Sequence, residues 1–228
     1  MGGDHAPDMV IEGIAQARTF FPGTQFLVFG DEARIKPLLD KQPDLTAAST
    51  LVHTSDVVTS DMKPSQALRK GRQSSMGLAI QAVKDGTADV AISAGNTGAL
   101  MALAKFLLRT MPGIDRPALI SPLPTLRGES VMLDLGANVE CDSNNLVQFG
   151  IMGAAYVRTV LGLSKPTVAL LNVGVEDLKG KDSIKAAADV LRASKHLPLD
   201  FVGFVEGNHI ATGEVDVVVT DGFTGNVA

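Results

Sequence analysis

Val131-Met-Leu-Asp-Leu-Gly-Ala-Asn-Val-Glu-Cys-Asp142 decides how this chain folds. The apolar run Val131–Leu135 enters a glycine-containing polar turn, and the turn opens into Ser143–Leu161, where apolar residues return at helical spacing. A strand that is apolar almost throughout is one covered by helices on both faces, which marks a parallel sheet. The same order recurs along the chain. Strands are expected at Phe26–Phe29, Val90–Ser93, Val131–Leu135, Val168–Val173, Phe201–Val205 and Val215–Thr220. Helices are expected at Pro7–Phe20, Glu32–Leu39, Ser75–Lys84, Thr97–Leu108, Ser143–Leu161 and Ser183–Ser194. Capping side chains stand at several helix starts: Thr97, Asp142 or Ser143, and Asp182 or Ser183. The polar stretches Asp31–Gln42, Ser55–Pro64 and Met111–Pro117 read as surface connections or hinges around these elements. The expected fold is α/β, a mostly parallel sheet with helices on both faces. Residues 1–228 form one unit, open to division into two closely associated subdomains.

Composition narrows the function. With 228 residues, 45% of them hydrophobic, the chain has enough apolar side chains for a substantial core without disulfides. The single cysteine, Cys141, excludes a cysteine-stapled module or a four-cysteine zinc site within one chain, and fits a reducing compartment. A net charge of −5, with no basic cluster interleaved with aromatics, argues against a nucleic-acid partner. The most apolar stretch, Gly98–Leu108, contains Lys105 and is too short to span a bilayer. The chain opens on the turn Gly2-Gly3-Asp4 and closes on the turn Asp221-Gly-Phe-Thr-Gly-Asn226, so both ends read as cut.

Two segments repeat one pattern. Gly86-Thr-Ala-Asp-Val-Ala-Ile-Ser-Ala-Gly-Asn-Thr-Gly98 lies over Gly213-Glu-Val-Asp-Val-Val-Val-Thr-Asp-Gly-Phe-Thr-Gly225 without a gap. Asp89 falls on Asp216, Ser93 on Thr220, Gly95 on Gly222, Thr97 on Thr224 and Gly98 on Gly225. Each is read as a strand feeding a Gly-x-Thr-Gly loop at a helix entrance.

Ligands of an open parallel sheet bind beyond the carboxyl ends of the strands, and the polar residues concentrate there. Gly95–Gly98 follows one expected strand, Gly136–Asp142 another and Gly174–Gly180 a third. Glycines free backbone N–H groups to face a ligand, and a following helix dipole favours an anion of about phosphate size. The familiar nucleotide signatures are missing. Gly174 to Gly180-Lys181 is one residue too long for a Walker loop, and Asp182 stands where Ser or Thr belongs. There is no Gly-x-Gly-x-x-Gly and no Gly-x-Ser-x-Gly. His5, His53, His196 and His209 show no metal-ligand spacing with each other or with Cys141, so no metal and no cofactor is expected. Lys179 reads either as the cation that reaches an anion held by the loops or as a solvated surface lysine. Asp134 and Asp177 are candidate acid/base groups that spacing does not separate from loop carboxylates. Cys141 has no assignable histidine beside it, so a nucleophilic role is disfavoured.

Five separated motifs, in order along the whole chain, then carry a resemblance: Met1-Gly-Gly-Asp-His-Ala-Pro7, Ser93-Ala-Gly-Asn-Thr-Gly-Ala-Leu-Met101, Leu133-Asp-Leu-Gly-Ala-Asn138, Leu171-Asn-Val-Gly174 with Lys179-Gly180, and Asp221-Gly-Phe-Thr-Gly-Asn-Val227. Together they resemble the bacterial phosphate acyltransferase family of phospholipid synthesis (PlsX). The resemblance implies conversion of acyl-(acyl-carrier protein) and inorganic phosphate to acyl phosphate and free carrier protein, without a cofactor. It implies a three-layer fold like that of isocitrate and isopropylmalate dehydrogenases and of phosphotransacetylase, and a cytoplasmic homodimer. Family members have a strand before the Gly-Gly-Asp turn and a region after Gly-Phe-Thr-Gly-Asn-Val that serves dimerisation and peripheral membrane contact, and this chain shows neither. On the matching positions, Lys179 and Asn226 are the expected catalytic residues. Gly3, Asp4, His5, Ser93, Gly95, Asn96, Thr97, Gly98, Asp134, Gly136, Asn138, Asn172, Gly174, Asp221, Gly222, Thr224 and Gly225 are the expected substrate-binding residues. The expected partners are acyl carrier protein and phosphate, with a coenzyme A thioester or a non-catalytic anion-binding role as alternatives.

Overall fold

The computed structural model describes residues 1–228, which divide into two compact units, Met1–Met111 and Pro112–Ala228.

In the first unit, α1 (Asp8–Phe20), β1 (Phe26–Gly30), α2 (Glu32–Leu39), α3 (Pro43–Ala47) and β2 (Ser49–His53) are followed by α4 (Pro64–Lys70), α5 (Ser75–Lys84) and α6 (Thr97–Leu108). The two strands pair in parallel, Phe26 opposite Ser49 through Gly30 opposite His53. Ile11, Val28, Ile35, Leu39 and Leu45 form one buried cluster. Val58, Ala67, Met76, Ile80, Ala99, Leu103 and Leu107 form a second. Caps set the helix starts: Asp31 accepts from the Ala33 amide, Ser74 from Gly77 and Asn96 from Ala99. The α6 cap is therefore Asn96, one residue before the expected Thr97.

The expected strand Val90–Ser93 does not form. Those residues have no ladder, and Val90 and Ile92 are 69% and 88% exposed. An apolar, β-branched run has strand propensity, but it becomes a strand only where another strand takes its N–H and C=O groups.

The second unit holds β3 (Ile120–Thr125), β4 (Gly128–Leu133), α7 (Ser143–Val160), β5 (Thr167–Leu171), α8 (Asp182–Ala193), β6 (Asp200–Val205), β7 (Val217–Val219) and α9 (Gly222–Val227). One five-stranded sheet runs in the order β3-β4-β7-β5-β6. Only the β3–β4 pair is antiparallel. Val131, Leu133, Val168, Leu170, Val217 and Val219 share a core with Leu146, Phe149, Ala154 and Val157 of α7 and Ala187, Ala188 and Leu191 of α8. The intervening residues Met132, Ala169, Leu171 and Val218 are buried in a separate cluster, so the central strands are apolar on both sides, as their unbroken pattern requires. Each Val, Leu, Phe or Met side chain among them contributes roughly 1.5–3 kcal/mol by leaving water. Gly153 marks where α7 crosses the sheet: a Cβ there would overlap Val217 and reach within 3.0 Å of Leu133.

Of the two expected caps, Asp142 rather than Ser143 starts α7, and it does so in a reciprocal box with Asn145. No side chain caps α8, whose N-cap is Lys181 rather than an acidic or hydroxyl residue.

Candidate anion-binding site

Strands β4, β7 and β5 are neighbours and parallel, so the turns that follow them emerge side by side at one edge of the sheet. The β4–β7 pairing continues past the strands: Thr220 donates its amide to Leu133 at 2.8 Å and Asp134 donates its own to Thr220 at 3.1 Å.

Asp134 organises the first turn. Its carboxylate is completely buried and accepts four N–H groups, from Leu119 (2.9 Å), Ala137 (3.0 Å), the Asn138 backbone (2.6 Å) and the Asn138 side chain (2.8 Å). A carboxylate so enclosed holds the Gly136–Asn138 turn in place and is shut off from any incoming ligand. The Asn138 side-chain amide also donates to the Pro117 carbonyl at 2.8 Å.

The second turn is seated on the first. Asp221 caps α9 by accepting the Thr224 amide at 2.7 Å, and Gly222 donates its amide to the Asn138 carbonyl at 2.7 Å. Glycine is required here by space. A Cβ on Gly222 would stand 2.7 Å from the Asn138 oxygen, and one on Gly225 would overlap the Asp134 carbonyl. Asn226 lies over Gly136, its Nδ2 3.1 Å from where a Cβ would stand.

The third turn, Asn172–Lys181, carries the cations. The buried Asn172 donates to the Lys179 carbonyl at 3.1 Å and packs against Gly180, whose φ of +90° suits glycine. Lys179 Nζ pairs with Glu176 at 2.8 Å, its stem crossing Gly174. The Glu176 carboxylate, by hydrogen bond and charge, and the nearby charge of Glu206 hold the Lys179 ammonium above its ordinary range. Lys181 Nζ reaches out of its own turn to Asp221 at 3.1 Å. Burial works to raise the Asp221 carboxyl, but the Thr224 and Lys181 hydrogen bonds outweigh it and hold the group below the usual carboxylate range. A small cleft between these turns is lined by Cys141, Leu171, Ser183, Ile184, Thr220 and Asp221. Burial, aided by the charges of Asp134 and Asp221, raises the Cys141 thiol to about 11, so it is a poor nucleophile at neutral pH.

The remaining expected residues gather in the first unit. The Gly2-Gly3 turn packs on the Ala94-Gly95 turn: a Cβ on Gly3 would be 2.9 Å from the Ala94 oxygen, and one on Gly95 3.6 Å from Gly2. Ser93 accepts the Gly95 amide at 3.2 Å. Asn96 spends its side chain on structure, donating to the carbonyls of Thr59, Ser60 and Met62 at 3.2, 3.0 and 2.8 Å. Asp4, His5 and Thr97 are exposed, and Gly98 packs on Pro64. The internal similarity has a physical counterpart at its start, where Gly86 and Gly213 share φ values of +71° and +72°. The caps differ, because Asp221 aligns with Ala94 whereas Asn96 aligns with Phe223. Lys181 is the site residue that sequence reasoning missed. The sequence put the α8 cap at Asp182 or Ser183, so nothing in it marked Lys181, whose N-cap place only the structure shows.

The family model described as fatty acid synthesis protein matches residues 1–228. The chain belongs to that family. It is 65% identical over 228 residues to a phosphate acyltransferase of Rhodospirillum centenum and 60% identical over 228 residues to one of Paramagnetospirillum magneticum. All of the chain is matched, and it spans 64% and 65% of those relatives' lengths. Among solved structures, the fold is similar to a branched-chain phosphotransacylase from Enterococcus faecalis, with a TM-score of 0.60 and 18% identity over 99% of this chain and 79% of that one. It is also similar to the EutD phosphotransacetylase from Staphylococcus aureus, with a TM-score of 0.56 and 15% identity over 95% and 84%. The fold is thus the expected phosphotransacetylase-like α/β class. No helix is long and apolar enough to cross a membrane.

Proposed function

We propose that this family member is a phosphate acyltransferase, joining the acyl group of acyl-(acyl-carrier protein) to inorganic phosphate in phospholipid synthesis. The observation that carries the reading is the junction of three adjacent strand-end turns, which places Lys179, Lys181, the start of α9 and Asn226 at one edge of the sheet. The similarity to phosphate acyltransferases over the whole chain supports it.

Phosphate is anionic at neutral pH and needs no protein nucleophile, in keeping with the protonated Cys141 thiol. A phosphate oxygen bonds to the thioester carbonyl carbon, and the tetrahedral oxyanion collapses as the C–S bond breaks. Acyl phosphate forms, and the carrier leaves as a thiolate that takes up the proton lost by phosphate. The protein's tasks are positioning and charge stabilisation. Lys179 holds phosphate by exchanging its Glu176 partner for the substrate. Asn226 orients phosphate or the carbonyl, and the Thr224 hydroxyl in the first turn of α9 is a further donor, the Gly222, Thr224 and Gly225 amides being held within the protein. The Gly95–Gly98 turn offers donors of the same kind on its own unit. Asp134, Asn138, Asn172, Gly174 and Gly136 shape the turns rather than touch the reacting atoms. The proposal extends to a cytoplasmic homodimer that meets the membrane peripherally.

Calorimetry with phosphate, followed by competition between carrier-protein and coenzyme A thioesters in turnover, tests the reading. Phosphate binding with preference for the carrier-protein thioester supports it. Preference for coenzyme A indicates a phosphotransacetylase-like enzyme, and binding without turnover indicates an anion-binding protein.

A further inference from the structure

Lys179 and Lys181 stand two residues apart in the turn before α8, yet they do different things. Lys179 pairs with Glu176 inside its own turn. Lys181 crosses to the turn of another strand and pairs with Asp221, whose side chain is 13% exposed and already engaged by the Thr224 amide. The lysine side chain does not serve α8: it occupies the N-cap, makes no capping bond and sets a positive charge at the positive end of the helix. A locally unfavourable placement of this kind is explained by what the residue holds elsewhere.

The partner it holds stands on a fixed element. Asp221 begins α9, and α9 is locked on the β4 turn through Gly222 on Asn138 and Gly225 on Asp134. No comparable backbone lock joins the β5 turn to α9. The Lys181–Asp221 pair is the polar contact that ties the turn bearing Lys179 to the other two.

We propose that Lys181 is a positioning residue: through Asp221 it fixes the Asn172–Lys181 turn over α9 and so sets where Lys179 meets phosphate. The inference rests on the phosphate acyltransferase reading for its catalytic consequence, but the tether itself is a property of the fold. Asp221→Asn isolates it, because asparagine caps a helix as well as aspartate does and lacks the charge that Lys181 needs.

Lys181→Ala, Asp221→Asn, the double variant and Lys181→Arg are compared in the intact gene product. Hydrogen exchange is followed at residues 175–181, where the Lys179 amide donates to the Glu176 carbonyl. Lys181→Ala and Asp221→Asn are expected to speed exchange there to the same degree, with no further gain in the double variant and recovery in Lys181→Arg. In turnover, each of the first two raises the KM for phosphate about tenfold, with a smaller change in kcat and none in the KM for the acyl thioester. Unchanged exchange in Lys181→Ala overturns the tether by itself. Multiplied rather than shared effects in the double variant show that Lys181 acts other than through Asp221, and also overturn it. A wild-type protein that binds no phosphate and forms no acyl phosphate overturns the functional reading instead, while the exchange comparison still decides the tether.

Discussion

The Asp134 carboxylate, with no exposed surface, accepts both the backbone and the side-chain N–H of Asn138, at 2.6 and 2.8 Å. It therefore works as the anchor of a turn, although a carboxylate next to a glycine-rich loop invites an acid/base assignment. Replacing it by alanine leaves four N–H groups without their acceptor and is expected to cost on the order of 3 kcal/mol. Denaturant unfolding of Asp134→Ala measures this, and a loss below 1 kcal/mol contradicts the anchoring role.

The glycines divide by space. A Cβ on Gly13, exposed inside α1, meets nothing within 4 Å, so Gly13→Ala is expected to stabilise the protein by roughly 0.5–1 kcal/mol. A Cβ on Gly225 would overlap the Asp134 carbonyl, so Gly225→Ala must displace α9. Thermal unfolding of both variants should move in opposite directions; matching shifts would refute the contrast.

Asp221 carries a pH dependence whose sign follows from its lowered pKa. A depressed carboxyl contributes stability that is present above its unfolded value, about 3.9, and fades as pH falls through the lower folded value. The stability advantage of wild type over Asp221→Asn is expected to hold at neutral pH and shrink below about pH 4. An advantage constant down to pH 2 contradicts the ion pair as its source.

Cys141 behaves in the opposite sense. With the thiol raised to about 11, stability from its buried neutral form is present below the unfolded value of about 8.5 and is lost as pH rises toward 11. Alkylation should be slow at pH 8 and accelerate through pH 11. Reaction at the rate of a free thiol at pH 8 would show the site to be open and ionised.

Much of the fold was legible because apolar periodicity is imposed by burial. Glu32–Leu39, Ser75–Lys84 and Thr97–Leu108 match α2, α5 and α6 in both bounds, and unbroken runs such as Val168–Val173 found the central strands. The misses have separate causes. The β3 sequence Ile-Ser-Pro-Leu-Pro-Thr holds two prolines, which cannot donate to a ladder, yet it lies at a sheet edge where one side needs no donors. Ser49–His53 is short and half-buried, so neither its length nor its polarity marks it. Gly222-Phe-Thr-Gly-Asn-Val227 is glycine-rich and reads as a turn, but it is helical, since Asp221 caps it and the glycines sit where no Cβ fits. At the site, motif positions were readable, while the division of labour among them was not. That Asn96 holds three carbonyls, or that Lys181 crosses to Asp221, depends on side-chain directions that spacing does not encode.

Acyl phosphate formed by the intact gene product from an acyl-carrier-protein thioester and inorganic phosphate can be trapped as a hydroxamate. Phosphate-dependent hydroxamate is expected with the wild type and is expected to fall by about two orders of magnitude or more in Lys179→Ala, the loss typical of a charge that stabilises the transition state. Near-normal turnover in Lys179→Ala, or no phosphate-dependent product from the wild type, would contradict the account.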